Sequence, residues 1–182
     1  LHELINKSYD TFWQQLNEAR VILLHPRSRY RSVLVAQLIN DPQLPTFYYA
    51  MGPDDINVQA FIGGITHDLA NQHPTFGRHV NMLPDSVYDN FTQNIEEIMS
   101  AFARDLSEIS ANDRFLFILD EYDRSDTADD VQYFMEKLPE YMPSNCRLVI
   151  NSRTLPRLPW IALIVQGLAV LLEDDHIIRE GF

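Results

Sequence analysis

Two carboxylates, Asp120 and Glu121, follow directly on the apolar run Phe115-Leu116-Phe117-Ile118-Leu119, and Tyr122 and Asp123 come next. A run of β-forming residues that closes on paired carboxylates sets them at the carboxyl end of a buried strand. A carboxylate there can hold Mg²⁺ directly or through water. Its neighbour can orient or deprotonate an attacking water. The same string also suits a solvated acidic turn; its place on a sheet edge favours the site reading.

A second group follows the run Val21-Ile22-Leu23-Leu24, in the string His25-Pro26-Arg27-Ser28-Arg29-Tyr30-Arg31-Ser32. A phosphate loop of the form G-x-x-x-x-G-K-[ST] would stand here. In that motif glycines let backbone N–H groups wrap a phosphate, lysine supplies charge and the hydroxyl reaches Mg²⁺. His25 and Tyr30 replace the two glycines and Arg31 replaces the lysine; Ser32 alone matches. None of the six glycines lies in the loop, and the two lysines are Lys7 and Lys137. Tyrosine and histidine tolerate positive φ poorly, and the arginine fork is bulkier than a lysine ammonium. Arg27, Arg29 and Arg31 nevertheless put three cations near the start of a helix, where an anion is attracted. Pairing of these arginines with the protein's own carboxylates is the competing reading. A third group, Ser152-Arg153-Thr154, follows the run 147–150 and could sense a terminal phosphate.

Other chemistry finds little support. The histidines are scattered, and His73 and His79 stand six apart with no acidic residue between them, which favours surface histidines over a zinc site. No G-x-S-x-G elbow occurs. Cys146 is alone and reads as a small buried residue; it permits no internal disulfide and no cysteine-based zinc site.

The elements that must carry these groups alternate. Apolar runs at 21–24, 45–50, 114–119, 147–150 and 168–172 read as strands. Helical spacing of apolar residues appears at 8–18, from 31 to about 40, at 56–71, 86–109, around 131–138 and at 160–166. Residues 72–84 read as a loop. Gly63-Gly64 within a helix costs about 1 kcal/mol per glycine, so close backbone packing or a break is expected there. Asp85 or Ser86 is placed to cap the long helix, and Ser125 or Thr127 the following one. Alternation of this kind implies an α/β domain with a parallel sheet and right-handed crossovers.

The 182 residues suit one domain over 1–182, and the start without Met suggests the N-terminal part of a longer chain. With 46% hydrophobic and 22% charged residues, the composition excludes a disordered or collagen-like chain. The net charge of −12 argues against direct nucleic-acid binding by this segment. The apolar stretch 159–172 is too short and too interrupted to span a membrane, and no signal peptide is evident, so a cytoplasmic chain is expected.

The strings VILLHPRSRYRSVLVAQLI, FLFILDEYD and RLVINSRT, followed by Leu155-Pro156-Arg157-Leu158-Pro159, resemble in order and spacing the ATPase domain of STAND signalling proteins. Among these the likeness is to the MalT-like, LuxR-type bacterial transcriptional regulators. The resemblance implies a three-layer αβα P-loop NTPase fold of the ASCE type, with a five-stranded parallel sheet in the order 5-1-4-3-2. It implies that His25, Pro26, Ser28, Tyr30, Arg31, Ser32 and Val33 form the nucleotide loop, with Arg31 on the phosphates. It implies Ser32 and Asp120 as Mg²⁺ ligands, Glu121 as catalytic base and Arg153 as sensor. The function implied is a regulatory ATP/ADP switch working through protein partners or self-assembly. The degenerate loop makes hydrolysis weak or absent. The alternative is a pseudo-NTPase scaffold that holds no cofactor and serves protein–protein interaction.

Overall fold

A computed structural model describes residues 14, 19–26, 29, 31–109, 113–125, 128–157 and 160–172. Five strands form one sheet: β1 (Val21–Leu24), β2 (Thr46–Ala50), β3 (Phe115–Asp120), β4 (Cys146–Asn151) and β5 (Ala169–Leu172). Their order is β2-β3-β4-β1-β5, and every neighbouring pair is parallel. This is the expected order read from the other edge. The helices are α1 (Arg31–Asn40), α2 (Val58–Gln72), α3 (Ser86–Asp89), α4 (Ile95–Ile109), α5 (Asp129–Tyr141) and α6 (Trp160–Val165). Of the helix expected over 8–18, residue 14 is described as helical and the others lie outside the described residues.

The strands are apolar on both sides because both faces are covered. On one face Phe117, Leu119, Leu148 and Ile150 pack with Phe61, Phe102 and Phe134 from α2, α4 and α5. On the other, Ile22, Leu24, Leu116, Ile118 and Val149 pack with Leu34, Val35 and Leu38 of α1. The result is the expected layered α/β arrangement.

Two local expectations need correction. The periodicity over 86–109 does not form one helix: α3 stops at Asp89 and α4 begins at Ile95. Between them Asn94 Nδ2 donates to the Val87 carbonyl at 3.2 Å, and the N–H groups of Gln93 and Asn94 both donate to the Asn90 carbonyl. Short polar side chains compete for backbone partners in this way. Phe91 stays buried across the break, so the apolar stepping survives although the helix does not. Neither Asp85 nor Ser125 makes the expected cap. Asp85 makes no capping bond and accepts instead from Gln59 Nε2 at 3.2 Å. Ser125 Oγ donates to the Asp55 carbonyl at 2.8 Å, and Thr127 is outside the described residues. Cys146 is buried as expected, and burial pushes its thiol pKa up.

The loop 72–84 carries a 3₁₀ turn over Val80–Met82, pinned by a buried carboxylate. Asp105 of α4 accepts the N–H groups of His79 and Val80, each at 3.0 Å. His79 is therefore not isolated from acidic groups: its Nε2 lies 2.6 Å from Glu108 Oε1, and ligand-type atoms of His79, Asp105 and Glu108 fall within 4.8 Å of one another. The His79 hydrogen bond, with support from Arg78 and Arg104, holds the Glu108 carboxyl below its usual range. Guanidinium charge at this spot and a carboxylate already committed to the backbone make it a loop anchor.

The glycine pair divides by environment. A Cβ on Gly64 would meet the Tyr49 hydroxyl at 2.2 Å, whereas one on Gly63 would meet nothing within 4 Å. Tyr49 cannot give way freely, because its hydroxyl donates to the buried Asp55 carboxylate at 3.0 Å. Gly64→Ala is therefore expected to cost about 1–3 kcal/mol. Gly63→Ala is expected to stabilise by about 0.4–1 kcal/mol. Urea denaturation of the two variants reads the difference.

Candidate functional site

Side chains alternate faces along a strand, and this decides what gathers at the carboxyl edge. Leu116 and Ile118 face α1, so Asp120 does as well. Val149 faces α1, so Asn151 does too. Tyr48 of β2 packs against the same cluster. Register then aligns the ends: Ala50 pairs with Asp120, and Leu119 pairs with Ile150. Arg31 and Ser32 open α1 over this edge.

A continuous polar relay joins four elements. Arg31 Nη1 donates to Asn151 Oδ1 at 2.7 Å and to the Ser152 carbonyl at 3.1 Å. Asn151 Nδ2 donates to Asp120 Oδ1 at 2.9 Å. The same oxygen accepts the Glu121 N–H at 2.7 Å, and Tyr48 donates its hydroxyl to Asp120 Oδ2 at 2.5 Å. A guanidinium offers only donors and a carboxylate only acceptors, so the order fixes which way the Asn151 amide points. Burial, then the Asp120 hydrogen bond and charge, raise the Tyr48 phenol well above its ordinary pKa.

Beside the relay lies a hollow of about 410 Å³, lined by Arg31, Ser32, Tyr48, Asp120, Glu121, Asp123, Asn151, Ser152 and Arg153. All three groups singled out in the sequence meet here. Arg31 and Ser152 of the lining each carry a buried polar atom, Nε and Oγ, that has no hydrogen-bond partner among the described residues. A buried orphan of this kind costs about 1–3 kcal/mol, so each needs an acceptor or, for the hydroxyl, a donor.

The remaining charged groups are engaged by the protein itself. Arg153 sends its backbone N–H, Nε and Nη2 to Asp123 at 3.0–3.1 Å, and is 72% exposed. Burial acts to raise the Asp123 carboxyl, but the Arg153 backbone and side-chain bonds outweigh it and hold the pKa low. Glu121 has φ of 53°, a left-handed conformation that costs a non-glycine residue about 1 kcal/mol. The Arg124 N–H donates to its carbonyl at 3.1 Å, and its carboxylate pairs with Arg124 Nη2 at 3.3 Å.

The loop residues divide. His25 and Pro26 are half-buried and Val33 is exposed; none of the three lines the hollow. His25 donates its N–H to the Leu172 carbonyl, prolonging the β1–β5 pairing. Ser28 and Tyr30 lie outside the described residues. Arg31 bonds to an amide and a carbonyl of β4 and its following residue, not to a carboxylate. Tyr48 and Asn151 are site residues that motif reading missed; only the register of β2, β3 and β4 brings them to Asp120.

The donor set fits an anion better than a cation. Guanidinium and hydroxyl groups with unmet capacity suit phosphate oxygens. Mg²⁺ draws on carboxylate oxygens, and three of the roughly four lone-pair sites of Asp120 already serve Tyr48, Asn151 and the Glu121 N–H. Nucleotide phosphates thus fit the residues present better than Mg²⁺ does. A second hollow of about 550 Å³ lies beside Tyr88, Phe91 and Tyr133. Its charged lining is wholly acidic, Asp89, Asp129 and Asp130, which repels phosphate.

No protein-family model matches the chain, and no curated protein matches it in sequence. Solved structures do. A chain in the structure of Drosophila ORC bound to AT-rich DNA and Cdc6 superposes with a TM-score of 0.54 at 11% identity, covering 94% of this chain and 55% of that one. A Walker-type ATPase of Pyrococcus abyssi superposes with a TM-score of 0.51 at 11% identity, covering 97% and 57%. The chain spans little more than half the length of either neighbour. Among the described residues no helix is long and apolar enough to cross a membrane. Strand order, parallel pairing and these likenesses agree: the chain has the α/β fold of the P-loop ATPases.

Proposed function

We propose that this domain is a regulatory ATP/ADP-binding switch module of a STAND-type signalling or transcription-regulatory protein, akin to the MalT-like, LuxR-type regulators, with hydrolysis weak or absent. The observation that carries the binding reading is that Arg31 Nε and Ser152 Oγ, on two residues that line the strand-end hollow, are buried without a hydrogen-bond partner among the described residues. Ser32 borders the same space and would add a hydroxyl to a phosphate site. Weak hydrolysis follows from what surrounds it. Glu121 is paired with Arg124, Arg153 is locked on Asp123, and the glycines and lysine of a phosphate loop are absent. Phosphoryl transfer depends on such groups being free to position water and stabilise charge. A single domain acting in the cytoplasm through protein partners or self-assembly, within a longer chain, completes the reading.

A second reading has its own observation. The relay from Arg31 to Tyr48 supplies Asp120 with donors from the protein itself, as it would in a scaffold that keeps the fold for protein contacts alone. Equilibrium titration with ADP separates the two. Measurable binding that weakens at least about tenfold in Arg31→Ala, a loss of about 1.4 kcal/mol, supports the switch. No binding at any accessible concentration leaves the scaffold.

A further inference from the structure

We propose that this site takes nucleotide without Mg²⁺, and that Tyr48 is the residue that excludes the metal. The inference rests on the nucleotide-binding reading and deepens it. Mg²⁺ demands near-octahedral oxygen ligands at about 2.0–2.1 Å and gives up its water reluctantly. The carboxylate placed to serve it is Asp120, at the end of β3. Its Oδ1 receives two donors, Asn151 Nδ2 at 2.9 Å and the Glu121 N–H at 2.7 Å. Its Oδ2 receives the Tyr48 hydroxyl at 2.5 Å. The first oxygen has both lone pairs in use, and the second is capped by a short bond from a half-buried phenol. A metal could reach Asp120 only through the one lone pair left on Oδ2, crowded by the Tyr48 hydroxyl.

The three donors are not equally removable. The Glu121 N–H belongs to the backbone that turns out of β3. Asn151 is held from its other side by Arg31. Tyr48 is the one side chain whose loss frees a carboxylate oxygen without dismantling the rest of the relay. Phosphate charge has another partner in the lining: the guanidinium of Arg31, whose hydrogen bonds among the described residues go to an amide and a carbonyl rather than to a carboxylate.

The test is calorimetric titration of ADP into the wild-type chain, once with EDTA and once with millimolar Mg²⁺. The expected affinities differ by less than about twofold. In Tyr48→Phe, which keeps the ring and removes the hydroxyl, Mg²⁺ is expected to tighten ADP at least about fivefold over EDTA. Water-proton relaxation with Mn²⁺ in place of Mg²⁺ gives a second readout, with the ion held by Tyr48→Phe plus ADP and not by the wild type. Wild-type binding that requires Mg²⁺ overturns the inference and leaves nucleotide binding standing. A Tyr48→Phe chain that binds ADP yet ignores both ions overturns the part given to Tyr48. Absence of ADP binding under either condition overturns this inference and the nucleotide reading together.

Discussion

Asp120→Ala is expected to destabilise the fold by about 2–4 kcal/mol. The carboxylate accepts from Tyr48, Asn151 and the Glu121 N–H, and its removal strands three donors at once. Each is worth about 1 kcal/mol or somewhat more, tempered by water entering the adjacent hollow. An aspartate kept only to hold a metal behaves in the opposite way. It sits among idle lone pairs, and its loss is commonly neutral or stabilising. Urea denaturation distinguishes the two. The double variant Asp120→Ala/Tyr48→Phe adds a check, because removing both ends of one hydrogen bond costs less than the sum of the separate losses. Its expected cost lies about 1 kcal/mol below that sum.

Asp105→Ala is expected to cost about 2–5 kcal/mol through a separate mechanism. Asp105 is 1% exposed and lies on the apolar face of α4. It carries the N–H groups of His79 and Val80, so alanine leaves two backbone donors without partners beneath the loop 72–84. Asp105→Asn retains one acceptor oxygen and should recover about half of the loss. Hydrogen exchange at Val80 should accelerate in both variants, more in the alanine. The affinity for ADP should be unchanged, since α4 packs on the sheet face opposite α1 and the relay. Asp120→Ala thus acts through the relay at the strand ends, and Asp105→Ala through a loop remote from it.

Much of the fold was legible because burial on both faces writes each strand as an unbroken apolar run. Val21–Leu24 and Phe115–Asp120 are of this kind. Strand order came from the resemblance of ordered motifs and agrees with the pairing. The break between α3 and α4 was hidden because Val87, Phe91 and Ile95 keep helical spacing across it. What ends the helix is hydrogen bonding by Asn90 and Asn94, to which an apolar count is blind. Asp105 did leave a signal, a carboxylate one position before Leu106 in the buried stripe of an amphipathic helix.

In the site, motif reading found Arg31, Ser32, Asp120, Glu121 and Arg153, which line one hollow. It missed Tyr48 and the part played by Asn151. Tyr48 sits two residues before the end of β2, and its meeting with Asp120 depends on the register that pairs Ala50 with Asp120. A one-residue slip would turn Tyr48 to the other face. Pairing register is not written in either strand alone, so the partner that occupies Asp120 could not be read from either string.

The most direct test of a phosphate site at the strand ends is a crystal structure of the chain grown with ADP. The expected result places phosphate oxygens within about 3.2 Å of Arg31 Nε and Ser152 Oγ, with the Tyr48 hydroxyl still on Asp120. Density for the nucleotide in the acidic hollow beside Tyr88, Phe91 and Tyr133, or ordered water alone on Arg31 and Ser152 at saturating ADP, would contradict it.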